Sequence, residues 1–163
     1  MATNVPFIEN SDDELHCLQA SYMIILKYFK PQFTIKWGEW SKVTGFEQNK
    51  GTWPIAGLIW FKKHGFIVKH IELFDIDSFS KDGEAYMRKR YPSDLAEWGI
   101  AHTNIPAEEQ RARELQQYDI CENHIPNIED IKQYIDEGYL VRVHVNSRKL
   151  NSEDLNSHSN CDI

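Results

Sequence analysis

Cys17 is the residue in this chain best suited to covalent chemistry. It follows the acidic turn Asp12-Asp13-Glu14 and opens an apolar run that reaches about Phe29. A thiol in the first turn of a helix lies near unpaired backbone N–H groups, whose partial positive charge favours the thiolate, the form that attacks a carbonyl carbon. Asp12 and Asp13 can supply side-chain oxygens to those N–H groups and so start the helix. The same carboxylates oppose ionisation of the sulfur, so a reactive Cys17 needs an imidazole beside it. The spacing by itself favours an opposing reading. Cys17, Ala20, Ile24 and Tyr28 recur at intervals of three, four and four residues, the stripe by which a helix faces a core, and a cysteine on such a stripe is a small packing residue.

The elements that would position this thiol follow from punctuation and periodicity. The first helix stops near Phe29-Lys30-Pro31, because proline disfavours helix in the residue before it. A short second helix is expected over Lys36 to Val43 with Gly45 as its C-terminal cap, and a third from Pro54 to His64, closed by Gly65. Phe66 to Leu73, rich in β-branched and aromatic residues, reads as a strand. The same order of helix, glycine and strand recurs at Ile128 to Glu137, Gly138, and Tyr139 to Val145. In that last strand the valines share one side, and Arg142 and His144 the other. Between the two units lies a polar, helix-rich insertion over residues 75–123. Its best helices are Ile76 to Arg90 and Pro106 to Tyr118, with Arg88-Lys89-Arg90 and Glu108-Glu109 read as solvated faces. No Gly- or Ser-rich linker or repeat divides the chain, so residues 1–163 are expected to form a single domain.

The chain opens with the block Val5-Pro6-Phe7-Ile8-Glu9-Asn10, then Cys17, then Met23 to Phe29 with its Leu26-Lys27-Tyr28-Phe29 ending. Further blocks are Lys50 to Pro54, Phe74-Asp75 to Gly83-Glu84-Ala85-Tyr86, Glu97-Trp98, Ile125-Pro126 with Asp130-Ile131-Lys132, Asp136 to Val141, and Val145 to Arg148. This ordered set of short blocks resembles the bacteriocin-processing, double-glycine-leader peptidase-like family of papain-like cysteine peptidases. The resemblance implies an α+β, papain-like fold, with a nucleophile helix packed on a small antiparallel sheet that this chain leaves incomplete. It implies Cys17 as nucleophile, His158 as base, and Asn10 at the place of an oxyanion-donating glutamine. His144 is a second candidate base. The chain departs from the pattern at Leu18, where the family has glycine, at His16, where it has aspartate, and at Asn10, whose side chain is one methylene shorter. After His158 only Ser159 to Ile163 remain, where the family continues into a strand.

Composition sets the outer bounds. The chain has 163 residues, 41% of them hydrophobic, enough for one core, and a formal charge of −7 without a basic block, which argues against nucleic acid or anionic membrane as partner. It shows neither a signal peptide nor a stretch of the roughly twenty apolar residues of a membrane span, so a cytoplasmic location is expected. Three separated cysteines, Cys17, Cys121 and Cys161, form neither a disulfide framework nor a zinc pattern, so no metal or other cofactor is expected. Two functions follow: a thiol hydrolase attacking a peptide or other acyl carbonyl, or an inactive peptidase-like module that binds a peptide or protein. An unpaired edge at Tyr139 to Val145 would also allow homodimerisation by strand addition.

Overall fold

Residues 4–11 and 15–145 are described by a computed structural model of the chain. In order they form α1 (Cys17–Phe29), α2 (Trp37–Val43), α3 (Ile55–Lys63), β1 (His70–Ile71), α4 (Ile76–Arg90) and α5 (Ser93–Ala101). Then come α6 (Ile105–Leu115), a 3-10 turn (Gln116–Tyr118), β2 (Cys121–Glu122) and α7 (Ile128–Asp136). The protein is α+β and mostly helical. Its helix starts obey local chemistry. Asp75 caps α4 by accepting from the Ser78 N–H at 3.0 Å, and Asn104 caps α6 just ahead of Pro106. At α7, Asn127 and Asp130 form a reciprocal capping box.

The core is built around α3, which is apolar on nearly every side. Phe61 joins Leu18, Tyr22, Met23 and Leu26 of α1 and Trp40 of α2 in one cluster. Ile55, Leu58 and Ile59 join α4 and α6 through Phe79, Met87, Ala112 and Leu115 in the other. Gly57 lets α1 and α3 approach closely: a Cβ there would lie 2.0 Å from Tyr22 Cε2. The Tyr22 hydroxyl then donates to the Pro54 carbonyl at 2.9 Å, tying the two helices where they meet.

The stretch from residue 75 to 123 supplies much of that second cluster. Helix α4 has the bounds expected for it, but it bends at Gly83, whose φ of +43° is left-handed backbone. The bend accommodates α6, since a Cβ at Gly83 would meet the Glu109 carboxylate and Ile105. Glu108 was expected on a solvated face and is instead 3% exposed. It pairs with Arg111 one turn on, while its Oε2 is buried without a hydrogen-bond partner among the described residues. Burial pushes its carboxyl upward from the ordinary range, Arg111 opposes this, and Glu47 adds to it. Helix α5 was not anticipated: it follows Pro92 and has no side-chain cap to announce it.

The sheet differs from the expected antiparallel one. Its two strands run parallel, with His70 opposite Cys121 and Ile71 opposite Glu122. The reason lies in the connection. A parallel pair needs a long crossover, and α4 to α6 provide it, so the partner of the first strand is the end of the helical stretch. The backbone N–H groups of His70 and Glu72 donate to the carbonyls of Ile120 (2.9 Å) and Glu122 (3.2 Å). The strand expected over Phe66 to Leu73 shrinks to two residues, and Tyr139 to Val145 is not paired as a strand with any described residue.

Candidate functional site

Cys17 is the first residue of α1, and its side chain is exposed. The turn before it accounts for this. Asn10 Oδ1 accepts from the backbone N–H of Ser11 at 2.9 Å and of His16 at 3.1 Å, which closes the loop ahead of the helix. His16 is 8% exposed; its ring stacks on Phe46 with centroids 3.9 Å apart and lies 5.8 Å from Trp37. Its Nδ1 is 2.7 Å from Ser11 Oγ. With His16 packed inward, the helical turn of about 100° per residue carries the next side chain out to solvent and the two after it, Leu18 and Gln19, back into the core.

The buried face of α1 is Leu18, Gln19, Ala20, Tyr22, Met23 and Leu26, so of the stripe from Cys17 through Tyr28 Ala20 is buried, Ile24 and Tyr28 are half-buried and Cys17 is exposed. Trp40 explains part of the shift, because its Nε1 donates to the Gln19 carbonyl at 2.8 Å and draws that side of the helix inward. The first turn of α1 contains no acidic residue. The thiol thus stands at the positive end of a 13-residue helix, open to a reactant.

The other expected site residues fall differently. Asn10 directs its carboxamide oxygen to the backbone, which leaves Nδ2 as its donor. Asp12, Asp13 and His158 lie outside the described residues. His144 lines a groove beside Tyr22 whose wall does not include Cys17. It is exposed as a residue, yet desolvation of its ring and then the adjacent Arg142 guanidinium pull it down to about 4, with Glu72 opposing. An imidazole of that acidity is neutral at pH 7.

Sequence reasoning missed two arrangements. One is the Ser11–His16 pair, whose only sequence signal is a histidine directly before the cysteine. The other is Gln19, 0% exposed, with both amide atoms lacking a hydrogen-bond partner among the described residues. A buried amide left open in this way carries a desolvation cost of about 1–3 kcal/mol. Nothing in a one-dimensional pattern separates such a glutamine from a surface one.

No known protein family, curated protein or solved structure matches this chain. Among the described residues, no helix is long and apolar enough to cross a membrane, and no group of three or more His, Cys, Asp or Glu side chains is placed to hold a metal ion.

Proposed function

We propose that the protein is a papain-like, cysteine-peptidase-like hydrolase in which the Cys17 thiolate attacks a peptide or other acyl carbonyl. The observation that carries this reading is the exposed thiol at the first residue of α1, held there by the inward-packed His16. In the reaction the thiolate forms a bond to the carbonyl carbon, and the negative charge moves to the carbonyl oxygen. Asn10 Nδ2 is the donor assigned to that oxygen, and His158 the group that takes the thiol proton and gives it to the leaving group as its bond to the carbonyl carbon breaks; water then hydrolyses the thioester and restores the thiol.

The test is alkylation by iodoacetamide as a function of pH, with Cys161→Ser in the background and Cys121 as internal reference. Cys121 is pushed up to about 11 by desolvation, with Glu72 and Asp119 adding to it. Cys17 is expected to label at least about tenfold faster than Cys121 at pH 7, because only the thiolate reacts. That excess should shrink in His158→Ala. Labelling of Cys17 no faster than that of a free cysteine, at every pH and with or without His158, would remove the hydrolase reading.

The second reading is a module of the same fold that binds a peptide or protein without turnover. Leu18 beside the cysteine and the groove formed partly by Arg142 favour it.

A further inference from the structure

A groove of about 420 Å3 lies against α1 and α3, and its lining does not include Cys17. Two continuous stretches of chain, residues 66–72 and 139–145, form its walls. Its floor is apolar, formed by α1 and α3 through Ile25, Phe29, Leu58 and Phe61. The volume lies within the range of ligand sites, about 300–1,000 Å3.

The walls hold unused backbone. In the parallel pair the N–H groups of His70 and Glu72 face β2, which turns Ile71 toward the opposite edge. Outside the ladder to β2, the wall backbone makes two further hydrogen bonds among the described residues. These run from Phe66 to the Phe61 carbonyl and from Tyr139 to the Tyr134 carbonyl. Both walls therefore offer free N–H and C=O groups along their length, and such edges pair readily with an added strand.

One charge in the groove has no counter-ion among the described residues. Arg142 has its guanidinium over the Tyr22 ring at 5.1 Å and in contact with His144, and no carboxylate pairs with it among the described residues. The nearby acid, Glu72, is already 2.8 Å from His70 Nε2. That contact is close enough for an ion pair but out of line for a hydrogen bond, since the same nitrogen has no hydrogen-bond partner.

We propose that this groove binds an extended peptide as an added strand between residues 66–72 and 139–145, with one acidic group of the peptide paired to Arg142. Alternate side chains of the peptide lie on the apolar floor, and its backbone bonds to the two walls. A second copy of this chain fits less well. The segment Tyr139 to Val145 contains no carboxylate, so pairing it with its own twin would leave both guanidiniums unmatched. The inference does not depend on the reactivity of Cys17, and the binding test uses full-length Cys17→Ser protein so that cleavage cannot obscure it.

The probes are fluorescein-labelled peptides on the order of seven residues long, the length of a strand. They alternate valine and threonine around one central glutamate. One companion carries glutamine instead, and another has alternate backbone amides N-methylated. Fluorescence anisotropy is expected to show the glutamate peptide binding about tenfold tighter than the glutamine one, and N-methylation weakening it by at least as much. Arg142→Gln should equalise the glutamate and glutamine peptides while keeping the sensitivity to N-methylation. Arg142→Lys should restore part of the preference, which guards against a folding artefact. Absence of binding by all three peptides, binding indifferent to N-methylation, or a concentration-dependent dimer in sedimentation that blocks the probe would each overturn the proposal.

Discussion

Helices α6 and α7 are close to matched as sequences. Both are amphipathic, both begin at an asparagine cap and both carry acids in the first turn. Yet α6 buries Ile105, Glu108, Ala112 and Leu115, whereas α7 buries no residue, and its Ile128 and Ile135 remain 60% and 44% exposed. The difference teaches that an apolar stripe specifies a helix and a face but not what covers the face. Helix α6 is covered because α3 and α4 lie against it. Helix α7 stands at the side of the groove, where the neighbouring chain segment 139–145 is itself only partly covered.

Three pairs of substitutions and one single change sharpen or break this contrast. The largest expected effect is Leu115→Ala, a fully buried side chain in α6, which should lower unfolding free energy by about 2–5 kcal/mol, while Ile135→Ala in α7 should change it by about 0.5 kcal/mol or less. Urea denaturation measures both, and equal losses would show that α7 is covered as firmly as α6.

Next comes glycine. At Gly83, φ is +43° and an added Cβ would lie 3.2 Å from Ile105 Cγ2 and displace the Glu109 carboxylate, so Gly83→Ala adds a tight contact to strained backbone and should cost about 2–3 kcal/mol. Gly138, after α7, has φ of +91° but nothing within 4 Å of its Cβ position, so Gly138→Ala should cost only the conformational strain, about 1–2 kcal/mol. Thermal unfolding of the two variants gives the comparison.

The caps separate global from local stability. Asn104→Ala should cost about 1 kcal/mol of global stability, because α6 unfolds only with the core. Asn127→Ala should leave the global transition nearly unchanged and speed amide hydrogen exchange across residues 128–136, because an uncovered helix opens by itself. Equal global losses would contradict the contrast.

The smallest effect is electrostatic. Glu108 has its folded-state pKa raised by burial above the ordinary value of 4.5, so the folded protein binds more protons than the unfolded chain just above that pH. Stability from this group is present at low pH and declines as pH rises through the raised pKa. Glu108→Gln should remove that decline, which a pH series of denaturation midpoints will reveal.

Much of the local structure was legible from residue types. The bounds of α4 and the ends of α1, α2 and α3 follow from proline, glycine and capping residues, and those act within a few bonds. The site was less legible. The expectation of a helix-start cysteine describes Cys17, but its spacing stripe pointed to the core, and only the stacking of His16 on Phe46, thirty positions away in the chain, decided that the thiol faces out. The buried Glu108 and Gln19 were invisible for the same reason, since burial of a polar side chain is set by neighbours brought from elsewhere in the chain.

By itself, the sequence determined where helices begin and end, which of their faces are apolar, and that a thiol stands at the start of the first one. Tertiary structure alone decided that the sheet is parallel, that α6 is covered while α7 is not, and that Arg142 meets Tyr22 without an ion pair among the described residues. The physical reason is range. Caps and periodicity act through adjacent turns of backbone, whereas strand pairing, burial and the partner of a charge depend on which distant segments the packed core brings together.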